Sequence, residues 1–294
     1  IIGAHYDHLG WGGEGSLYKG EPAIHNGADD NASGTAGILE LARIYSKSKY
    51  DNYNYLFIAF SGEEKGLLGS NAFAKSDLLN PDKINYMVNM DMIGRLNEEG
   101  RIAIYGTGTS PRWNSLLEEN RCKNITITTT KSGVGPSDHT SFYLQDIPVL
   151  HFFTGAHEDY HKPSDDADKV NYEGIATVLI YMQNLINDLD DEKKLVFTKT
   201  KSDENQKAPK FSVTLGVIPD YLYSETGMRI DGVSDGKPAY NAGMQKGDIV
   251  VQLGDVKVLD MMTYMKALGR YVKGDKVKAT VIRDGKAVEL EVSF

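Results

Sequence analysis

Five short stretches in the first two thirds of this chain set acid and imidazole groups in the loops and strand ends of an alternating pattern. They are "AHYDH" (4–8), "GADDNASG" (27–34), "FSGEEKGLLGS" (60–70), "NMDMIG" (89–94) and "DYHKPSDD" (159–166). Zinc takes imidazole nitrogen and carboxylate oxygen in near-tetrahedral sets. Two such ions held close together need a shared anion, and a carboxylate lying between them supplies it. That chemistry calls for two histidines, one bridging acid, one further acid per metal and one spare carboxylate as proton acceptor. The five stretches together contain that inventory.

The elements around them must bring them to one place. "TAGILELARIYSK" sets Ile38, Leu41, Ala42 and Tyr45 at i, i+3, i+4, i+7 spacing, one face of a helix. "NYEGIATVLIYMQNLINDL" carries Ile175, Val178, Leu179, Met182, Leu185 and Ile186 on a second such stripe. "YLFIAF" (55–60) is a continuous apolar run, as expected of a strand buried on both faces. "NYMVNMDMIG", "GRIAIYG", "NITITTT" and "PVLHFF" read as further strands, and "IIGAHYDH" as an interior strand met part-way, with an upstream part expected to be missing. Strands alternating with helices predict an α/β fold, a mixed, mostly parallel sheet flanked by helices. In such sheets functional groups gather beyond the carboxyl ends of the strands, where most of the five stretches fall.

Composition narrows the classes. The chain has 294 residues, 40% hydrophobic and 25% charged, with a net charge of -9. That size suggests one large domain or two smaller ones. The acidic balance argues against nucleic acid, whose phosphates call for a basic face. No apolar run is long enough to span a bilayer. The lone Cys122 excludes an internal disulfide. After Leu189 the chain turns polar and charged, and 191–210 reads as a linker between a domain at 1–190 and one at 211–294. In the last part "RDGK" marks a hairpin and Asp260 a helix N-cap.

The motifs "HYDH", "GADDNASG", "SGEEKGLLGS", "NMDMIG", "SDHTSF" and "YHKPSDD", in this order, resemble the zinc-dependent aminopeptidases of the M28 peptidase family over roughly residues 1–190. The resemblance implies a zinc-exopeptidase fold with two zinc ions per chain. It implies His5, Asp30 and Asp91 around one zinc, and Asp30, Glu64 and His161 around the other, with Asp30 bridging. Glu63 would be the general base, Tyr160 a donor to the developing oxyanion and Asp7 the partner that orients the His5 ring. Taken singly, several of these have plainer readings. His5 fits a core histidine, and Asp29 or Asp30 could cap a helix starting near Ser33. His157 competes with His161, and Tyr160 equally fits a packed tyrosine. Asp138 and His139 of "SDHTSF" read as structural or pocket residues rather than ligands, and His8, His25 and His151 take no role. The insert between the first two stretches, 9–27, reads as a rim loop.

Residues 211–294 resemble a PDZ domain, with "TLGVIPDY" at the carboxylate-binding loop and "SDGKPAYNAGMQKGDIVVQLGDVKV" following it. Leu215, Gly216 and Val217 are the implied loop residues, with Met262 near the side-chain pocket, and a peptide C-terminus the implied partner. A packing module is the plainer reading. The family implies peptide substrates and a secreted or periplasmic location. A glutaminyl cyclase-like enzyme on the same fold, with one zinc, and an inactive peptide-binding protein are the alternatives.

Overall fold

The structure is a computed structural model, and it describes residues 1–13, 15–200, 213–220, 223, 225–233 and 236–294, with backbone alone at 218, 261 and 262. The chain divides into two compact units, the first built from Ile1–Gly155 and Asp159–Ser202 and the second from Ala156–Glu158 and Asp203–Phe294.

The first unit is built on six strands: β1 (Ile2–His5), β2 (Phe57–Phe60), β3 (Met87–Met90), β4 (Arg101–Tyr105), β5 (Thr126–Thr130) and β6 (Val149–Phe153). They line up in the order β2-β1-β3-β6-β4-β5. β2, β1, β3 and β6 run parallel, β4 opposes β6, and β5 runs parallel to β4. The sheet is therefore mixed and mostly parallel, as expected. Among the described residues this unit has α-helices α1 (Gly34–Tyr45), α2 (Leu68–Ala74), α3 (Arg112–Glu119), α4 (His139–Tyr143) and α5 (Tyr172–Asp190).

The apolar stripes decide which helix faces turn inward. Ile38, Leu41 and Tyr45 of α1 are buried, and so are all six predicted stripe residues of α5. They pack with Val88, Met90, Ile102, Ile104 and Phe152 from the strands and with the fully buried Trp113. A second cluster, around Phe60, Met87, Phe142 and Val149, fills another part of this unit beneath α2 and α4.

One expectation fails. The run 55–60 was expected to be buried on both faces, yet β2 is the last strand of the sheet among the described residues. Ala59 is exposed, and Phe57 and Ile58 are half-buried. An apolar run reports affinity for apolar surroundings, not the number of neighbours a strand has. Of the segment 191–210, read as a linker, the part up to Thr200 is docked on the first unit. Leu195 N–H donates to Asn85 at 2.7 Å, Thr198 N–H to the Thr109 carbonyl at 2.8 Å, and Leu195 and Thr200 are buried. The remainder of that segment lies outside the described residues.

The second unit contains β7 (Val217–Pro219), β8 (Met228–Val233), α6 (Pro238–Asn241), β9 (Ile249–Leu253), β10 (Val256–Lys257), α7 (Met261–Leu268), β11 (Lys276–Arg283) and β12 (Lys286–Ser293). The strands order as β12-β11-β9-β8-β7, all antiparallel, with β10 paired to β9. The predicted hairpin joins β11 to β12, and its turn residues Asp284 and Gly285 both have positive φ, 49° and 73°, the signature of a type I′ turn. Asp260 caps α7 through Thr263, in a reciprocal capping box.

Candidate metal centre

The sheet delivers the site directly. His5 ends β1, the Glu63–Glu64 pair follows β2, Asp91 follows β3, and His161 lies in the loop after β6. These four strands are adjacent and parallel, so their carboxyl ends open on one edge of the sheet. Asp30 enters from the irregular turn Ala28–Ser33 that leads into α1.

Both imidazoles are aimed by main-chain carbonyls. His5 Nδ1 lies 3.1 Å from the Asp7 carbonyl oxygen, and His161 Nδ1 lies 2.8 Å from that of Gly15. A carbonyl only accepts, so each Nδ1 carries a hydrogen and each Nε2 faces the site, where its lone pair is free once its proton is lost. Gly15 belongs to the insert expected as a rim loop, which thus holds His161 in place. His161 itself has φ 54° and Leu17 N–H donates to its carbonyl at 3.0 Å.

His5 Nε2 is 3.4 Å from Asp30 Oδ1 and 3.3 Å from Asp91 Oδ1. His161 Nε2 is 3.2 Å from Asp30 Oδ2 and 3.3 Å from Glu64 Oε2. Asp30 therefore offers one oxygen to each imidazole. The spacing is too long for good hydrogen bonds, whose N···O distances centre near about 2.9 Å. A tetrahedral zinc with ligands about 2.0–2.1 Å away has ligand-to-ligand edges of about 3.3 Å. All four contacts match that edge, so the residues fit a zinc pair. Two groups of candidate donors, His5–Asp30–Asp91 and His8–Asp30–Glu64, lie within 4.8 Å of one another in each set.

Charge argues the same way. Burial works against a charge on His5, yet Asp91, Glu63 and Asp30 more than offset it and hold its pKa well above the ordinary value. His161 is likewise opposed by burial but raised to about 10 by Asp30 and Glu64. Burial, with Asp91 and Glu64 nearby, lifts the Asp30 carboxyl. Glu63 is pushed well above the carboxylate range by burial, and Asp91, Asp138 and Glu64 add to the shift. Without metal, the centre has more buried negative charge than its own imidazoles neutralise.

One assignment changes in detail. Asp7 faces His5 with its carbonyl. Its carboxylate is 3.8 Å from the ring and instead accepts the Glu63 N–H at 3.1 Å, which fixes the base's backbone. Tyr160 stacks on the His161 ring, centroids 3.8 Å apart. Glu63 stands next to Glu64 and belongs to neither donor group. In the second unit, Leu215 is buried, Gly216 has φ 76° and Val217 starts the edge strand β7, while the Met262 side chain lies outside the described set.

The sequence left other contributors unread. Asp29 is fully buried, and its Oδ1 accepts the Gly94 N–H at 2.6 Å. Neither aspartate caps α1. Asn31 does that work, taking the N–H of Gly34 and of Met92 on one oxygen. Asp165 Oδ2 accepts the N–H groups of both Asp29 and Asp30, at 2.9 and 3.0 Å, and its Oδ1 meets Arg95 at 3.3 Å. It thereby ties the loop of His161 to the backbone of Asp30. Its place four residues after His161 was the available signal. Asp138 and His139 are fully buried. Burial lifts Asp138 to about 6 and keeps His139, stacked on His151 at 4.4 Å, neutral.

Comparison with known proteins places the chain. Residues 1–186 match the sequence model of Peptidase family M28, and residues 197–294 match that of the PDZ domain. The chain belongs to Peptidase family M28. Aminopeptidase YwaD of Bacillus subtilis is 31% identical over 159 residues, covering 50% of this chain and 34% of that protein. The solved zinc aminopeptidase BSAP from Bacillus subtilis aligns with TM-score 0.53 at 25% identity, over 66% of this chain and 48% of that one. A glutaminyl cyclase from Porphyromonas gingivalis shares the fold, with TM-score 0.51 at 16% identity over 64% and 72%. The chain spans between a fifth and two thirds of the length of the curated relatives it matches.

Two outcomes follow. Asp165→Ala strands two buried N–H groups and should cost about 2–4 kcal/mol, read by urea unfolding. A raised folded-state pKa means that the folded, metal-free protein holds more protons, so stability falls as pH rises through it. The contribution of His161 is complete below about 6.5 and lost toward about 10. Zinc replaces those protons, so the gain in Tm on adding zinc should grow from pH 7 to pH 9. A constant gain would contradict the placement of His161.

Proposed function

We propose that this chain carries a di-zinc aminopeptidase centre that hydrolyses the first peptide bond of peptides. One zinc would be held by His5, Asp30 and Asp91, the other by Asp30, Glu64 and His161. Zinc at these positions would polarise the scissile carbonyl and acidify the attacking water. The observation that carries the reading is the division of labour between neighbours: Glu64 lies 3.3 Å from His161, while Glu63 stays outside both donor groups with a raised pKa.

Glu63 takes the proton from the water and delivers it to the leaving amine, a transfer favoured when the base's pKa lies near the working pH. Asp7 holds Glu63 by its N–H, so the base keeps its position as it changes charge. Tyr160, packed on His161, is the proposed donor to the developing oxyanion. Two complete donor sets favour this reading over a single-zinc glutaminyl cyclase and over an inactive binder, since a decayed site loses ligands. We place the protein outside the cytoplasm, secreted or periplasmic, on the family likeness alone. Among the described residues no helix is long and apolar enough to cross a membrane.

The PDZ-like unit is proposed to take a peptide C-terminus at Leu215–Val217, with either recruitment or packing as its purpose. Support comes from the loop, where Gly216 at φ 76° leads into the edge strand β7. Such an edge takes an added strand, with backbone amides receiving the carboxylate.

The zinc-loaded chain should release 4-nitroaniline from at least one aminoacyl nitroanilide, and a chelator should abolish it. Glu63→Gln should lower kcat by about 10²–10⁴ with zinc content unchanged. Full activity in Glu63→Gln overturns the base assignment. At the second unit, a labelled peptide with a free apolar C-terminus should raise its anisotropy on binding, and its amidated form should not. Equal binding of both forms would rule out carboxylate capture.

A further inference from the structure

His8 stands in the His8–Asp30–Glu64 donor group but outside the ligand sets of the proposed zinc pair, and it is built into the centre. Its side chain is nine-tenths buried, and its Nδ1 lies 2.9 Å from Glu64 Oε1. Its ring lies over Gly27, where an added Cβ would come within 2.7 Å of His8 Cγ and closer still to the Asp30 carbonyl oxygen. Glycine at 27, with φ 61°, thus leaves room both for that backbone oxygen and for the imidazole. His8 Nε2 is buried and has no hydrogen-bond partner.

Distance decides whether His8 is a ligand or a partner of one. The His161 nitrogen makes two contacts of 3.2 and 3.3 Å, both at the edge length of a zinc tetrahedron. The His8 nitrogen sits at 2.9 Å from Glu64, a hydrogen-bond distance, and at 3.8 Å from Asp30, too far for that edge. Glu64 is then gripped at both oxygens: Oε1 by His8 and Oε2 on the side of His161. A carboxylate accepts only, so His8 Nδ1 carries the hydrogen.

We infer that His8 is a positioning residue that keeps Glu64 monodentate. With Oε1 engaged by His8, only Oε2 is free to serve the metal shared with Asp30 and His161, and one coordination position stays open for water or the peptide. Open positions separate catalytic from structural zinc. Partners hydrogen-bonded to ligands set ligand orientation and metal affinity. The inference rests on the zinc-pair reading, and its test separates the two.

Wild type, His8→Ala and His8→Asn are compared in the full chain. Zinc is titrated against a chromophoric chelator, the visible absorption of the cobalt-substituted protein is recorded, and thermal unfolding of the metal-free forms confirms that each is folded. Asparagine places an amide N–H close to the position of Nδ1 but is a poor zinc ligand. His8→Ala should weaken one of the two metals about 10–100-fold and leave the other unchanged. Its cobalt absorption should fall in intensity as Glu64 closes on the metal and the coordination number rises. His8→Asn should restore both readouts. An unchanged affinity and spectrum in His8→Ala overturns the inference, and so does His8→Asn behaving as His8→Ala, which would make His8 a direct ligand. A wild type that binds fewer than two metal ions overturns the zinc-pair reading itself.

Discussion

The first unit is organised around one shared carboxylate. Asp30 is almost wholly buried, directs one oxygen at each of two imidazoles, and has Asp91 and Glu64 close enough to raise its pKa. Removing so many carboxylates from water is costly unless positive charge answers them. The histidines answer in part, by holding protons far above their usual pKa. The proposed pair of divalent cations would answer it more fully, and the 3.2–3.4 Å spacings have the size such ions would require.

The scaffold's task is to hold this arrangement before any cation stabilises it. Parallel strands do the coarse placement, because their carboxyl ends lie side by side by construction. Main-chain groups do the fine placement. Carbonyls of Asp7 and Gly15 set the two rings, Asp165 collects the amides of Asp29 and Asp30, and Asp29 and Asn31 bind the turn after Asp91. Few of these contacts involve a proposed ligand's own side chain. They rigidify the donors indirectly, so that the ligand atoms remain in register without bonding to each other.

Family membership and geometry contribute different parts of the functional reading. The match to Peptidase family M28 gives the type of centre, and solved relatives at about a quarter identity give the fold. The motif resemblance already set Glu63 apart from Glu64 and His161 apart from His8. The geometry adds which atoms face which, at separations of tenths of an ångström. The PDZ-like unit is a separate body with its own apolar core around Leu215, Val250 and Val281.

How much the sequence carried can be seen in particular elements. The stripes on α1 and α5 were legible because a 3.6-residue period is written locally. The hairpin at Asp284–Gly285 and the cap at Asp260 were legible because turn chemistry is local too. The acid and imidazole stretches were conspicuous, since such residues beside apolar strands are rarely idle. Other features were not local. The exposure of β2 depends on which strands flank it. The work of Asp165 and Asp29 depends on partners 136 and 65 residues away. The motif resemblance set His161 among the ligands, but only the fold places its nitrogen 3.3 Å and the His8 nitrogen 2.9 Å from Glu64. Residue types and periods fixed the elements and the chemical inventory. Only the tertiary structure decided which donor atoms meet, because a hydrogen bond and a coordination edge differ by less than half an ångström.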